Sequence, residues 1–306
     1  MKKTKKIKHA AVLINFNDAK TTSTCVQSIQ KSKDAPHIIV VDNGSSQECL
    51  AELKNLCPGL DLIETGENIG FSAGNNVGIK KAMRLGAQVV YILNNDTVVD
   101  ANLFFRSYRY TVKKNRIVGA KIYYAKDYEY HENQRGQGNI LWYAGGYFDY
   151  SMAVSRHYGV DEVDLGQHNI IKNVDFVTGC FMAVPRAVFK KIGMFDESFF
   201  LYLEDTDFCL RAKKAEIELI YNPNLVLYHL NGGSTLAGST LVDYYMTRNR
   251  FMIARRYGSW RLRLALHREA ILRNWNNIIR RFAYMDYLMG RMGNRNELVN
   301  NIKNKR

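Results

Sequence analysis

Continuous apolar runs punctuate the first hundred residues, and amphipathic stretches of helical period separate them. Residues 9–15 (HAAVLIN), the apolar start of 37–46 (HIIVVDNGSS), 60–65 (LDLIET) and 87–97 (AQVVYILNNDT) read as strands. Runs without polar alternation suit strands covered on both faces. Residues 19–32, 47–56 and 71–86 read as the helices between them, the last closed by Gly86. This βαβα alternation predicts a mostly parallel, doubly wound sheet. Ligands of such sheets bind beyond the carboxyl ends of the strands. Three polar clusters, at 15–18, 42–46 and 94–97, fall at equivalent strand ends.

The pattern then loosens. The Tyr- and Gly-rich piece 123–138 reads as a mobile loop and 139–150 (NILWYAGGYFDY) as strand and turn in a hairpin. Residues 173–193 read as strand, turn and a helix beginning near Pro185, and 215–235 as two short strands around Asn222-Pro223. From 243 to about 289 the pattern is helical, and the last dozen residues read as disordered. The expected organisation is a basic tail (1–8), an α/β catalytic domain (9–242) and a helical basic extension (243–306), without internal repeats.

Composition fits a core-forming protein, with 46% hydrophobic and 24% charged residues. The five cysteines are scattered and form no CxxC pair. Neither a zinc cluster nor a disulfide framework is indicated, and a reducing cytoplasm is expected. The basic opening MKKTKKIKHAAVLINFND has too short an apolar run for a signal peptide. No stretch approaches the roughly 18–20 apolar residues of a membrane span. The net charge of +14 is uneven: residues 248–306 hold fifteen Lys/Arg against three Asp/Glu, and 2–8 hold five lysines. Basic ends on a near-neutral body predict an anionic partner surface. Residues 248–290 also carry Trp260, Leu262, Leu264, Leu266, Trp275, Phe282 and Tyr284. That mixture suits basic C-terminal helices lying on an anionic membrane surface. The plain alternative is that these apolar residues pack on the catalytic domain.

Five motifs carry chemistry, each beside an ordinary structural reading. In VVDNGSS, Asp42 follows a strand and can accept from a ribose hydroxyl or a pyrimidine N–H, or belong to a simple turn. ENIGFSAGNNVGIKKA places Gly70, Gly74 and Gly78 near a helix start, without dinucleotide or Walker spacing. Small residues there admit a phosphate at the positive helix end, or let the helix pack tightly on the sheet. In YILNNDTVV, Asp96 can hold Mg²⁺ or Mn²⁺ together with substrate phosphates, or cap the next helix. VLYHLNGGST presents His229, then Gly232, Gly233 and Ser234, suited to a phosphate or to a flexible turn. FFLYLEDTDFCLR gathers Glu204, Asp205 and Asp207, with Arg211 at ion-pair spacing on a helix surface. These acids either favour a helix N-terminus or include a catalytic carboxylate.

The ordered set VLINFN, VVDNGSS, ENIGFSAGNN, LNNDT, TGCFMAVPR, FDESFFLYLEDTDFCLR, LYHLNGGS and YYMTRNR spans residues 9–256 and resembles glycosyltransferase family two. It is most similar to the branch of rhamnosyl- and galactofuranosyltransferases. The resemblance implies the GT-A nucleotide-diphospho-sugar transferase fold and an inverting transfer. It places Asn15, Asp42, Asn68, Gly70, Phe71, Gly74, Asn75 and Asn95 at the donor, with Asp42 at base or ribose. Thr178, Gly179, Cys180 and Glu204 fall to the acceptor side. Asp96 matches the last acid of the family's DxD, whose first acid is Asn94 here, and His229 matches an additional ligand position for Mg²⁺ or Mn²⁺. Asp205, the second residue of the ED pair, matches the catalytic base that takes the proton from the attacking hydroxyl.

The implied partners are a nucleotide-diphospho-sugar donor, first dTDP-rhamnose, and a glycan or lipid-linked acceptor at the cytoplasmic face of the membrane. UDP-galactofuranose or another UDP-hexose is the alternative donor. Of other classes, a nucleotidyltransferase needs a glycine-rich basic loop after its first strand, and NFNDAK is not one. Nucleic-acid binding would rest on the C-terminal arginines alone, which match no nucleic-acid motif, so no nucleic acid is expected.

Overall fold

The computed structural model describes residues 6–230 and 239–304. The first part alternates as the sequence predicts: β1 (His9–Asn15), α1 (Ala19–Gln30), β2 (His37–Asp42), α2 (Gln47–Leu56), β3 (Asp61–Glu64), α3 (Phe71–Arg84) and β4 (Val89–Leu93). There follow β5 (Thr97–Val99), α4 (Leu103–Val112), β6 (Ile117–Tyr124), β7 (Leu141–Tyr143), β8 (Gly146–Asp149), β9 (Val154–His157), β10 (Lys172–Asn173) and β11 (Phe181–Pro185). The last elements are α5 (Arg186–Ile192), α6 (Glu204–Lys214), β12 (Leu219–His229), α7 (Thr240–Tyr257), α8 (Trp260–Leu272), α9 (Ile278–Leu288) and α10 (Asn296–Asn304).

The main sheet has the order β10-β12-β6-β11-β4-β1-β2-β3, with β5 beside β12 and β7 beside β6. Strands β3, β2, β1, β4, β6 and β12 run the same way, and β11 runs against them between β4 and β6. Parallel register brings Asn15 opposite Asp42 and Asp42 opposite Glu64, so these strands end along one edge. The reversed β11 pairs Phe181 with Leu93. Its incoming loop, 178–180, therefore reaches that same edge. β12 pairs His229 with Thr97, which brings the histidine next to Asp96. The glycines of α3 explain its close seat on β1. A Cβ on Gly74 would meet Ile14 Cδ1 at 3.1 Å, and one on Gly78 would collide with Val12.

Several elements differ from the sequence reading. Residues 219–229 form one strand rather than two, because an irregularity between Asn222 and Val226 absorbs Pro223. A bulge is where a sheet tolerates a residue without an N–H. β7 pairs with β6, and the hairpin is β8–β9, further along than predicted. The piece 123–138 continues β6 to Tyr124 and is then tied by buried Glu129, whose carboxylate accepts the Gly136 (3.2 Å) and Gly138 (3.0 Å) N–H groups. The last dozen residues include α10. It is anchored by buried Val299 and by the Tyr245 hydroxyl donating to Asn296 at 2.8 Å. Gly232, Gly233 and Ser234 lie outside the described residues.

Helices α7–α9 share an apolar core with α6: Leu203 and Leu210 pack with Phe251, Ile253, Leu266 and Tyr284. A polar anchor accompanies it. The sequence spacing suggested an exposed Asp207–Arg211 pair, but Asp207 is fully buried. It accepts from Arg211 Nε (2.8 Å), Arg256 Nη1 (2.7 Å) and the Tyr257 hydroxyl (2.8 Å). Arg256 also reaches Asp196, and Arg211 donates to the Ile192 and Met194 carbonyls. Arg211 and Arg256 are partly exposed and keep other partners, so removing Asp207 leaves unmet donors rather than a stranded buried charge, at about 1–3 kcal/mol. We expect Asp207→Ala to lose about that much in urea denaturation; a loss below about 1 kcal/mol would mean the cluster adds nothing to the docking of α7.

Candidate active site

The polar strand ends form one connected chain. Asn15 Nδ2 donates to Asp42 Oδ1 at 2.7 Å and to Ser45 Oγ at 3.0 Å. Asn15 Oδ1 accepts the Thr22 hydroxyl at 2.7 Å, and Asn95 Nδ2 donates to the same hydroxyl at 2.9 Å. The Ser45 N–H closes the turn on Asp42 Oδ2 at 3.1 Å. Asn43 carries the chain onward, donating to Asn68 Oδ1 (3.1 Å) and the Gly70 carbonyl (3.2 Å) and accepting the Ile69 N–H. Asp42 and Asn15 are both buried, so their carboxylate and amide are held fixed at this edge.

Gly70 opens α3 with φ +90° and no side-chain cap. A Cβ there would meet the Phe200 ring and carbonyl at 2.5 Å, so the position needs glycine for both backbone angle and space. The Phe71 N–H is taken by the Phe200 carbonyl, and the positive end of the helix at this edge suits an anion. Gly74 faces Ile14 and Asn43, and Asn75 Nδ2 is engaged with the Phe71 carbonyl at 2.9 Å. Gly74 thus sits at the helix–sheet seam.

The other half of the edge is acidic. Asn94 N–H donates to the Cys180 carbonyl at 3.1 Å, joining the 178–180 loop to the strand end that carries Asp96. Thr178 Oγ1 accepts the Cys180 N–H at 3.2 Å and shapes this turn. The Cys180 thiol is buried, and burial holds it well above its ordinary value; the residue contributes its carbonyl. Gly179 N–H donates to Asp205 Oδ2 at 2.9 Å, and Thr206 N–H to Asp205 Oδ1 at 2.7 Å. A Cβ on Gly179 would lie 3.5 Å from both Asp205 Oδ2 and the Phe71 ring. The start of α3, the 178–180 loop and the start of α6 therefore converge on one point.

Asp205 keeps part of its surface exposed, yet packed neighbours desolvate its carboxyl and raise its pKa, against the pull of the Gly179 and Thr206 N–H groups. Glu204 is buried and its Oε2 lacks a hydrogen-bond partner. Burial, with the Asp205 charge beside it, holds the Glu204 carboxyl well above the ordinary range. Two adjacent acids with unequal surroundings separate into different proton affinities.

Asp96 and His229 meet at the metal position the sequence suggested. Asp96 Oδ1 is buried without a hydrogen bond, and His229 Nε2 stands 3.3 Å from it. His229 Nδ1 is likewise unpartnered. Asp96 Oδ1 and His229 Nε2, side by side, fit two ligands of one divalent ion. No third His, Cys, Asp or Glu joins them among the described residues; an ion of this kind shares its shell with substrate oxygens.

Sequence reasoning missed Thr22, Asn43 and Ser45, which tie Asn15, Asp42 and Asn68 together, and Trp142, which stacks on His229 at 4.6 Å between ring centroids. Asn43 and Ser45 lay inside the quoted VVDNGSS. Trp142 gave no signal, because β7 reaches His229 only through its pairing with β6.

Known proteins resemble this chain in sequence and in fold. The chain is 29% identical over 185 residues to the low-salt glycan biosynthesis hexosyltransferase Agl10 of Haloferax volcanii, covering 59% of this chain and 54% of that protein. It therefore matches about half the length of that relative. It is 22% identical over 261 residues to the dTDP-rhamnosyl transferase RfbF of Shigella flexneri, covering 80% of this chain and 79% of that protein. Among solved structures, GalNAc-T7 with UDP, GalNAc and Mn²⁺ superposes with a TM-score of 0.57 at 18% identity, over 84% of this chain and 53% of the other. The architecture is the GT-A fold that the sequence predicted. Residues 10–193, the stretch that contains Asn15, Asp42, Asp96 and Gly179, match the family described as glycosyl transferase family 2, and the chain belongs to that family.

Proposed function

We propose that this chain is an inverting, divalent-metal-dependent glycosyltransferase that moves a hexose, L-rhamnose from dTDP-rhamnose, onto a growing lipid-linked glycan. The observation that carries the reading is Asp205, fixed by two backbone N–H groups, accessible, and set at the same edge as the Asp42–Asn15 and Asp96–His229 pairs. The Shigella relative, matched over most of both chains, supports rhamnose as the sugar.

Asp42 and Asn15 would receive the base and ribose, and the start of α3 the pyrophosphate. A divalent ion held by Asp96 and His229 would neutralise charge on the departing diphosphate. The acceptor oxygen bonds to the anomeric carbon as the carbon–oxygen bond to phosphate breaks. The bonding pair leaves with the nucleoside diphosphate, and the acceptor proton passes to Asp205. A raised pKa gives that carboxylate the affinity to take it. Glu204, kept protonated, would add no second charge to repel the donor.

The C-terminal helices divide in a way that supports membrane contact. Leu262, Leu266 and Tyr284 are buried in the core, whereas Trp260 (65% exposed), Leu264 (60%) and Leu272 (68%) face outward. On α8, Trp260, Leu264 and Ile271 share a side by helical spacing, and Arg261 and Arg268 are exposed beside them. Each cation near an anionic surface adds about 1 kcal/mol. No helix among the described residues is long and apolar enough to cross a membrane.

A donor panel of dTDP-rhamnose, UDP-galactofuranose, UDP-GlcNAc and UDP-glucose, scored by nucleoside diphosphate release with and without lipid-linked acceptor, tests the reading. We expect dTDP-rhamnose to lead, EDTA to abolish release, Asp96→Ala to remove most activity, and His229→Ala to raise the metal concentration required. Turnover of a UDP-sugar with none of dTDP-rhamnose would reassign the donor, full activity in EDTA would remove the ion, and no release from any donor would sink sugar transfer. Co-sedimentation with phosphatidylglycerol vesicles should be strong at low salt and fall as salt rises; absence of binding at low salt would return α8 to an ordinary solvated face.

A further inference from the structure

The turn that delivers Asp205 is strained. Tyr202 (φ +68°) and Leu203 (φ +67°) are consecutive left-handed residues, and neither is glycine. Such backbone persists only where its surroundings hold it. Leu203 is the N-cap of α6 and offers no side-chain cap, so the holding force comes from elsewhere. It comes from α7. Asn249 Nδ2 donates to the Leu201 carbonyl at 2.8 Å and to the Tyr202 carbonyl at 2.7 Å. Those carbonyls belong to the two peptide planes whose rotation defines φ of Tyr202 and φ of Leu203. One side chain thus fixes both unfavourable angles.

Asn249 is itself oriented. Its Oδ1 accepts Arg248 Nε at 3.0 Å. Both residues are fully buried. Arg248 Nη1 donates to the Gly293 carbonyl at 3.1 Å and Nη2 to the Ser198 carbonyl at 3.4 Å, with its guanidinium 4.9 Å above the Tyr245 ring. The same segment reaches the donor side, because the Phe200 carbonyl accepts the Phe71 N–H at 2.7 Å and packs into the space left by Gly70. Residues 198–203 therefore tie the start of α3 to the start of α6.

We propose that Asn249, braced by Arg248, is a positioning residue that sets the Asp205 carboxylate against the start of α3. The inference rests on Asp205 being the base. It assigns a role to the RN of YYMTRNR and makes the C-terminal helices part of the catalytic apparatus.

The test uses the full-length chain and the donor that wild type turns over in the panel above. Asn249→Ala removes the donors, and Asn249→Asp turns a carboxylate oxygen toward the two carbonyls. We expect kcat to fall roughly 10–100-fold, as for a small misplacement of a reacting group. The donor KM should change by less than about threefold, with cooperative melting retained. Tyr202→Gly in the Asn249→Ala background should recover much of the rate, because glycine adopts the left-handed angle without strain. If Asn249→Ala does not melt cooperatively, Asn249→Ser, which keeps one donor, takes its place in the same comparison. An unchanged kcat in a folded variant, a parallel loss of kcat and donor affinity, or no recovery with Tyr202→Gly would overturn the assignment. Asp205→Asn run alongside separates the two claims. If it stays fully active the base reading fails, and if it is inactive while Asn249→Asp is not, only the positioning role fails.

Discussion

A reversed strand in the middle of the sheet sets the geometry of the candidate site. β11 sits between β4 and β6 and pairs antiparallel with both. Parallel strands alone would bring only their carboxyl ends to the ligand edge. Reversal of β11 brings an incoming loop there as well, and that loop does two jobs. Its Cys180 carbonyl accepts the Asn94 N–H beside Asp96, and its Gly179 N–H donates to Asp205. Asp96 and Asp205 are thereby tied to one short piece of backbone.

The helical extension completes this arrangement. Asp207 is held from α7 by Arg256 and Tyr257, and the turn before Asp205 is held from α7 by Asn249. Neighbouring acids in one short motif thus do different work. Asp207 is closed off by three donors, Glu204 is buried beside the site, and Asp205 keeps an open side. Burying Asp207 with its donors keeps its charge compensated, while Asp205 stays partly exposed.

Much of the fold was legible because the first hundred residues follow simple periods. Apolar runs ending in Asn15, Asp42 and Asn94 mark both the strands and their shared edge, and the DNGSS and GENIGF segments meet there through Asn43 and Gly70. What the sequence hid depends on contacts distant along the chain. Pro223 suggested a break, yet a bulge absorbs it. The polar end of the chain suggested disorder, yet Val299 and Asn296 find partners on α7 and α9. Arg211 was visible as a helix neighbour of Asp207, whereas Arg256, some fifty positions away, was not. Asn249 lay in a quoted motif, but its task appears only beside the left-handed pair 202–203, which no local pattern announces.

The central claim is that the desolvated yet accessible Asp205 accepts the acceptor proton. Its raised pKa gives that claim a signature, because the base acts only when ionised. The rate should fall as pH drops through a value above the ordinary aspartate pKa of about 3.9. The decisive measurement is single-turnover transfer by Asp205→Asn against wild type across this acid range, with donor binding followed by calorimetry. The account expects donor affinity to survive, the rate to fall by roughly 10²–10⁴-fold and the acid limb to vanish. Near-wild-type transfer by Asp205→Asn with the acid limb intact would contradict it and move the base to another residue.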